Sequence, residues 1–363
     1  MHRTVLYSSI LLMCMFGIQA QAQMEVSPTG VCPDDIYIVQ AALNFSWGTT
    51  VQLGPGVFNF SCADPSGNAA LYIGYPGQYQ QFTYHLSGTP GGTIIVGPGS
   101  GTASLGLEIN WAHTTIEGIT FQGFRRAIRL GSPGYGGPKG AAVQNCTFTD
   151  DRQGIQALGE SDDLHILNNT FNLSPGQSAA VIFGGSNRLL AAGNTIVGPG
   201  ASVTLTTIDE LINLSTVATS GIWQMDTGST SSYGRISNNK ITGVDLGIQS
   251  SSNFAVVSEN VVSNSLIAIE ISNDSYDGVS MVTDNLVAEN NVLGNQVGIW
   301  LNAGARNIIE SNNALGASLV GILFLSLPGG PDSYSNKYFH NTGSVKGMPK
   351  NQGGSLIHPP PDN

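Results

Sequence analysis

The chain has 363 residues, a formal charge of −11, 41% hydrophobic and 10% charged residues, with 47 Gly and 17 Pro. Charged content below half of the ~25% usual for globular domains, beside ample apolar material, excludes an intrinsically disordered chain. The acidic balance excludes a nucleic-acid binder, glycines without a three-residue rhythm exclude collagen, and no apolar run reaches the ~18 residues of a membrane span.

Residues 1–22 read as a secretory signal: His2 and Arg3 open it, 5–18 are mostly apolar, and Ala20-Gln21-Ala22 is a cleavage site. Met13 is too large for a lipid-attachment site at Cys14. Export predicts a secreted or periplasmic protein. Cys32, Cys62 and Cys146 remain after processing. Cys32 and Cys62 suit a disulfide in an oxidising compartment, with two buried thiols as the alternative. Residues 23–91 are expected to form an N-terminal cap and first strands. Within them 34–44 fit an amphipathic helix with Ile36, Val39 and Leu43 inward and Asp34 at its start.

From 92 to 345 an internal repeat dominates. An Asn, any residue and an apolar residue recur as Asn169-Thr170-Phe171, Asn194-Thr195-Ile196, Asn239-Lys240-Ile241 and Asn260-Val261-Val262. The phrase continues at Asn291, Asn313 and Asn336, while Ile119 and Cys146 hold the same place in two earlier copies. A small-apolar phrase follows, usually nine residues on: Ala127-Ile128, Gly154-Ile155, Gly221-Ile222, Gly247-Ile248, Ala268-Ile269 and Gly298-Ile299. The long gap between Asn194 and Asn239 fits either a degenerate turn on Asn213 or a short helical insertion over 208–214. Such short strands bury their apolar sides only by stacking, and an inward corner Asn can bond the backbone of the next coil.

Glu289-Asn290-Asn291-Val292-Leu293 leading to Gly298-Ile299, and Ser237 to Ile241 leading to Gly247-Ile248, resemble repeats of the pectate-lyase-like superfamily. Thr49 to Phe58 resembles that group's first strand and turn. The resemblance implies an all-β, single-stranded right-handed parallel β-helix of roughly ten coils with a short N-terminal helical cap. Residues 346–363, with Pro349 and Pro359 to Pro361, are predicted to be a flexible tail. The superfamily spans lyases, hydrolases, epimerases, adhesins and accessory proteins, so the fold does not fix a function.

Asp150-Asp151 is followed by Arg152-Gln153-Gly154, and neither a Gly-His-Gly nor an Asp-Pro-His motif exists. The six His are isolated, no His/Cys cluster has metal spacing and no Gly-rich loop precedes a helix, so no metal or cofactor is expected. If the Ile of each small-apolar phrase points inward, its successor points out. That column reads Arg129, Gln156, Ile182, Thr204, Trp223, Gln249, Glu270, Trp300, Leu323. Trp223 and Trp300 would stack on sugar rings, with Gln249, Asn302, Arg129 and Arg152 holding hydroxyls or acidic groups. Hydrolysis needs two carboxylates, and Glu270 with Asp226 are the candidates; Asp274 and Asp277 are better read as turn caps. Arg125, Arg126, Arg129 and Arg152 form a basic cluster suited to a uronate in a lyase, or to a salt-bridged edge. Three readings stay open: an exported polysaccharide lyase or hydrolase, a non-catalytic glycan-binding or surface protein, and a periplasmic accessory protein. A loop or partner covering the column is the structural alternative, with 201–220 and 272–284 as the inserted stretches.

Overall fold

Each repeat supplies three short strands, and stacking the repeats builds three parallel sheets. The computed structural model describes residues 23–347 except 47, 75–82, 133–136, 158–160, 177, 186, 215–216, 226–232, 273–281, 303 and 326–334. The expected signal segment and nearly all of the expected tail lie outside these residues. Sheet I has twelve strands, sheet II nine and sheet III eleven. One coil shows the plan: Ala142–Gln144 lies in sheet I, Thr147–Thr149 in sheet II and Gln153–Ala157 in sheet III. The pairs join equivalent residues of successive coils, as Phe148 with Phe171 and Ile155 with Val181. The chain is a right-handed parallel β-helix, all-β apart from two helices among the described residues.

Period-two alternation sends one residue of each short strand inward, and stacking aligns these into continuous columns. In sheet II, Phe121, Phe148 and Phe171 stack with ring centroids 5.5 and 4.7 Å apart. Ile196, Ile241, Val262 and Val292 continue that column. Between sheets I and II the chain turns on a single left-handed residue, such as Asn145 (φ 54°), Asn168 (φ 55°) or Glu259 (φ 58°).

The next residue is the buried ladder position. The Asn194 backbone N–H and side-chain amide both donate to Asn239 Oδ1, at 3.0 and 2.9 Å. The same amide donates to Ile166 O at 2.9 Å. Each corner amide is thereby satisfied by its neighbours. Cys146 occupies this position, and burial pushes its thiol up to about 12.

Two expectations are corrected. Asn194 bonds Asn239 directly, so Asn213 marks no coil; it ends a helical insertion instead. The ladder continues through Asn290, Asn312 and Asn341, and not through Asn291, Asn313 and Asn336. Val292 and Ala314 are the inward residues, while Leu293 and Leu315 are exposed, so the frame lies one residue earlier. Asn336 belongs to a second ladder, with Asn285 and Asn307, at the corner before sheet I.

The cap helix α1 (Asp34–Phe45) connects the first two strands of sheet I, Gln23–Val26 and Thr50–Leu53, which pair directly, and it buries Val39, Ala42 and Leu43. The buried Asp35 carboxylate accepts from the N–H groups of Thr29 (2.6 Å), Gly30 (3.1 Å) and Asn59 (2.7 Å). Cys32 and Cys62 form a disulfide across this cap. No helix among the described residues is long and apolar enough to cross a membrane.

Candidate functional site

Pairing in sheet III fixes one outward column: Glu108, Arg129, Gln156, Ile182, Trp223, Gln249, Glu270, Trp300 and Leu323, in successive coils. Ile182 pairs directly with Trp223, so Thr204 is absent from it. Trp223 and Trp300 therefore share one face, three coils apart.

Residues 201–214 and 217–218 leave the solenoid and fold back over this face as a roof. Their helix α2 (Ile208–Ile212) starts with a capping box, in which the Glu210 N–H donates to Thr207 Oγ1 at 3.2 Å and the Glu210 carboxylate accepts from the Thr207 N–H at 3.3 Å. The sequence fits this helix because Ile208 and Leu211 lie on one side, above an apolar sheet. Together with Leu205 they pack on Leu246, Ile267, Val297, Trp300, Val320 and Leu323. The buried Asp245 carboxylate clasps both ends of the roof, accepting from the N–H groups of Ser202 (2.6 Å), Ala218 (2.7 Å) and Thr219 (3.0 Å). Gln296 holds the middle, accepting from Leu205 N and donating to Val203 O at 2.7 Å.

Trp300 lies beneath this roof, 4% exposed, with its indole N–H donating to Leu325 O at 2.8 Å. It points outward as its position in the repeat demands, but it is a packing anchor and not an open platform. Trp223, by contrast, stays half-buried.

Between roof and sheet lies a cavity of about 490 Å³, within the ~300–1,000 Å³ typical of ligand sites. Arg152, Trp223, Gln249, Glu270 and the inner edge of Trp300 line its floor; Leu211, Ile212, Leu214 and Val217 line its roof. Glu270 and Gln249 are both buried, and the Gln249 amide donates to Ser272 Oγ at 2.9 Å. Glu270 is the sole carboxylate among the described lining residues. Arg152 to Glu270 spans four coil steps, about 19 Å at the usual strand spacing. The cavity is thus long in the direction of the solenoid axis.

Other expected site residues fall elsewhere. Arg129 is taken up by the buried Glu108, its Nε donating at 3.1 Å and its Nη2 also reaching the carboxylate, while Ser132 and Asn110 bond the second oxygen. Asn302 sits beside Ser272 in the register, buried, and does not line the cavity. Asp226, Asp274 and Asp277 lie outside the described residues. Arg126 lies below the usual guanidinium range, first through burial and then through the charges of Arg125, Arg129 and Arg152. A smaller space of about 290 Å³ adjoins Arg152 and Asp151. Sequence reasoning missed Glu108 and Asp245. Gly106-Leu107 is a further small-apolar phrase, and reading it would have put Glu108 in the column. Among the described residues no three His, Cys, Asp or Glu side chains group to hold a metal ion.

No protein-family model matches the sequence, and no curated protein matches it. Among solved structures, the tailspike protein of E. coli bacteriophage HK620 in complex with pentasaccharide superposes with a TM-score of 0.59 at 15% identity, over 89% of this chain and 64% of that one. The catalytic unit of a thermostable GH87 alpha-1,3-glucanase from Streptomyces thermodiastaticus gives 0.51 at 13% identity, over 90% and 71%. A PL6 family alginate lyase gives 0.50 at 13%, over 87% and 40%. The chain spans just under two thirds of the tailspike's length. At these identities the likeness is one of fold: this chain has the right-handed parallel β-helix shared by those proteins.

Proposed function

We propose that the protein binds a glycan laid along the solenoid axis in the cavity between sheet III and the 201–218 roof. The observation that carries this reading is the register that stacks Trp223, Gln249 and Glu270 in successive coils within one cavity. A half-buried indole offers a face for sugar C–H groups, while an amide and a carboxylate take hydroxyls. Glycan-handling proteins on the same fold, among them a tailspike holding a pentasaccharide, support the reading by analogy of fold. The Cys32–Cys62 disulfide supports a location outside the cytoplasm.

Binding stands ahead of cleavage. Glycoside hydrolysis asks for two carboxylates, and the described lining supplies Glu270 alone. In the cleaving version of this reading Glu270 is the acid or base and Asp226 its partner. Calorimetry against a panel of plant, algal and bacterial polysaccharides tests the binding. Trp223→Ala should weaken it by about 1–2 kcal/mol. Assays for reducing ends and unsaturated uronates on the same panel separate binding from turnover. If Glu270 is the acid or base, Glu270→Gln keeps affinity and loses product. A Trp223→Ala variant that binds as the unmodified protein does would remove the site.

A further inference from the structure

The walls of the cavity are of two kinds. Gln249 and Glu270 stand side by side in one column of the floor, and Trp223 precedes them. Facing them, the roof turns Ile212, Leu214 and Val217 to the cavity, each only partly buried by its own packing, and Ile182 and Ile267 flank the floor. A ligand along the axis therefore finds hydrogen-bonding side chains on the floor alone and only aliphatic side chains on the roof.

A sugar polymer bearing only hydroxyls fits that division badly. Hydroxyls turned toward Leu214 and Val217 would give up water and find no acceptor or donor in exchange. A methyl group at the same place removes aliphatic wall from water and leaves no polar atom unpaired. We infer that the glycan taken by this cavity is acetylated, its acetyl methyl groups facing the roof and its free hydroxyls facing Gln249 and Glu270. The inference rests on the glycan-binding reading above and goes on to name the class of sugar.

Two probe pairs test it by calorimetry with the full chain: O-acetylated glucomannan oligosaccharides before and after mild alkaline de-acetylation, and chitotetraose against cellotetraose, which differ by an N-acetyl group in place of a hydroxyl. The acetylated member of at least one pair should bind about tenfold more tightly, the discrimination that one small apolar group in an apolar pocket provides. Leu214→Ser should bring the two affinities of that pair together. Val217→Thr, which keeps the volume of the side chain, should narrow the ratio too, even if Leu214→Ser loosens the roof. Equal binding of both members in both pairs overturns the inference and leaves the glycan-binding reading standing. Absence of binding to all four probes overturns the inference, and absence of binding across the wider polysaccharide panel overturns the glycan-binding reading as well.

Discussion

Asp151 shows how one residue can sit in a repeat and escape its pattern. It stands four residues before the inward Ile155, as Asn295 stands four before Ile299. Asn295 accepts from the Ser265 N–H at 2.9 Å and donates to Val262 O at 2.9 Å. Asp151 accepts from the Phe124 N–H at 2.6 Å, and its second oxygen has no partner among the described residues. Burial holds its carboxyl well above the ordinary carboxylate range. A folded value above the unfolded one means that the neutral acid's contribution is complete below about pH 4 and is lost as pH rises through the folded value. Asp151→Asn supplies the donor that Asn295 has, aimed at the carbonyl of Phe121, which precedes Phe124 by three residues as Val262 precedes Ser265. The variant should be more stable at pH 7 by about 1–3 kcal/mol and should lose this pH dependence. Urea unfolding at pH 4 and pH 7 checks it; an unchanged pH dependence in the variant would show that Asp151 is ionised in the fold. Trp223, Gln249 and Glu270 were legible in the sequence because outward direction follows from period two alone. The raised carboxyl of Asp151 was not, because it comes from burial between stacked coils, which the period of one strand does not report.

At the scale of elements, the roof is what separates the two tryptophans. Trp300 is 4% exposed under Leu205, Ile208 and Leu211, whereas Trp223 opens on the cavity. Trp300→Ala should cost about 3–5 kcal/mol of stability through the void it leaves, and Trp223→Ala far less. Urea midpoints of the two variants check this, and equal midpoints would contradict the packing described. Asp245→Ala strands three N–H groups at the ends of the roof. It should leave the solenoid's far-ultraviolet spectrum intact while making 201–218 the first site of limited proteolysis, because an unclasped segment opens locally. The strands themselves were legible in the sequence, since an inward residue every coil leaves a fixed spacing. Two features were ambiguous for definite reasons. Asn290-Asn291 and Asn312-Asn313 offer two frames for one ladder, and only the partner coil decides which amide is buried. Asn194 and Asn239 are 45 residues apart, room for two coils, and 208–214 holds four apolar residues, so a missing strand and a helix packed on the sheet leave the same trace.

On the scale of the whole molecule, a solenoid separates sequence distance from distance along the site. Each coil gives sheet III one strand, so a groove along the axis is lined by residues from Gln153–Ala157, Ser178–Gly184, Thr219–Met225, Leu246–Ser250, Ile267–Ser272 and Val297–Asn302. A ligand bound across one coil would instead touch the three strands of a single repeat. Hydrogen exchange read by mass spectrometry distinguishes the two. Because bound ligand stabilises the folded state of whatever it contacts, an axial glycan should slow exchange in the roof and in sheet III strands once per coil. The sheet I and sheet II strands between them should stay unchanged. Protection should be greatest from Thr219–Met225 to Ile267–Ser272, beneath α2, and absent at Ala69–Ile73 and Leu105–Ile109, which lie beyond the cavity. Protection confined to consecutive strands of one repeat would mean that the ligand crosses the solenoid and that the column of Trp223, Gln249 and Glu270 is not its track.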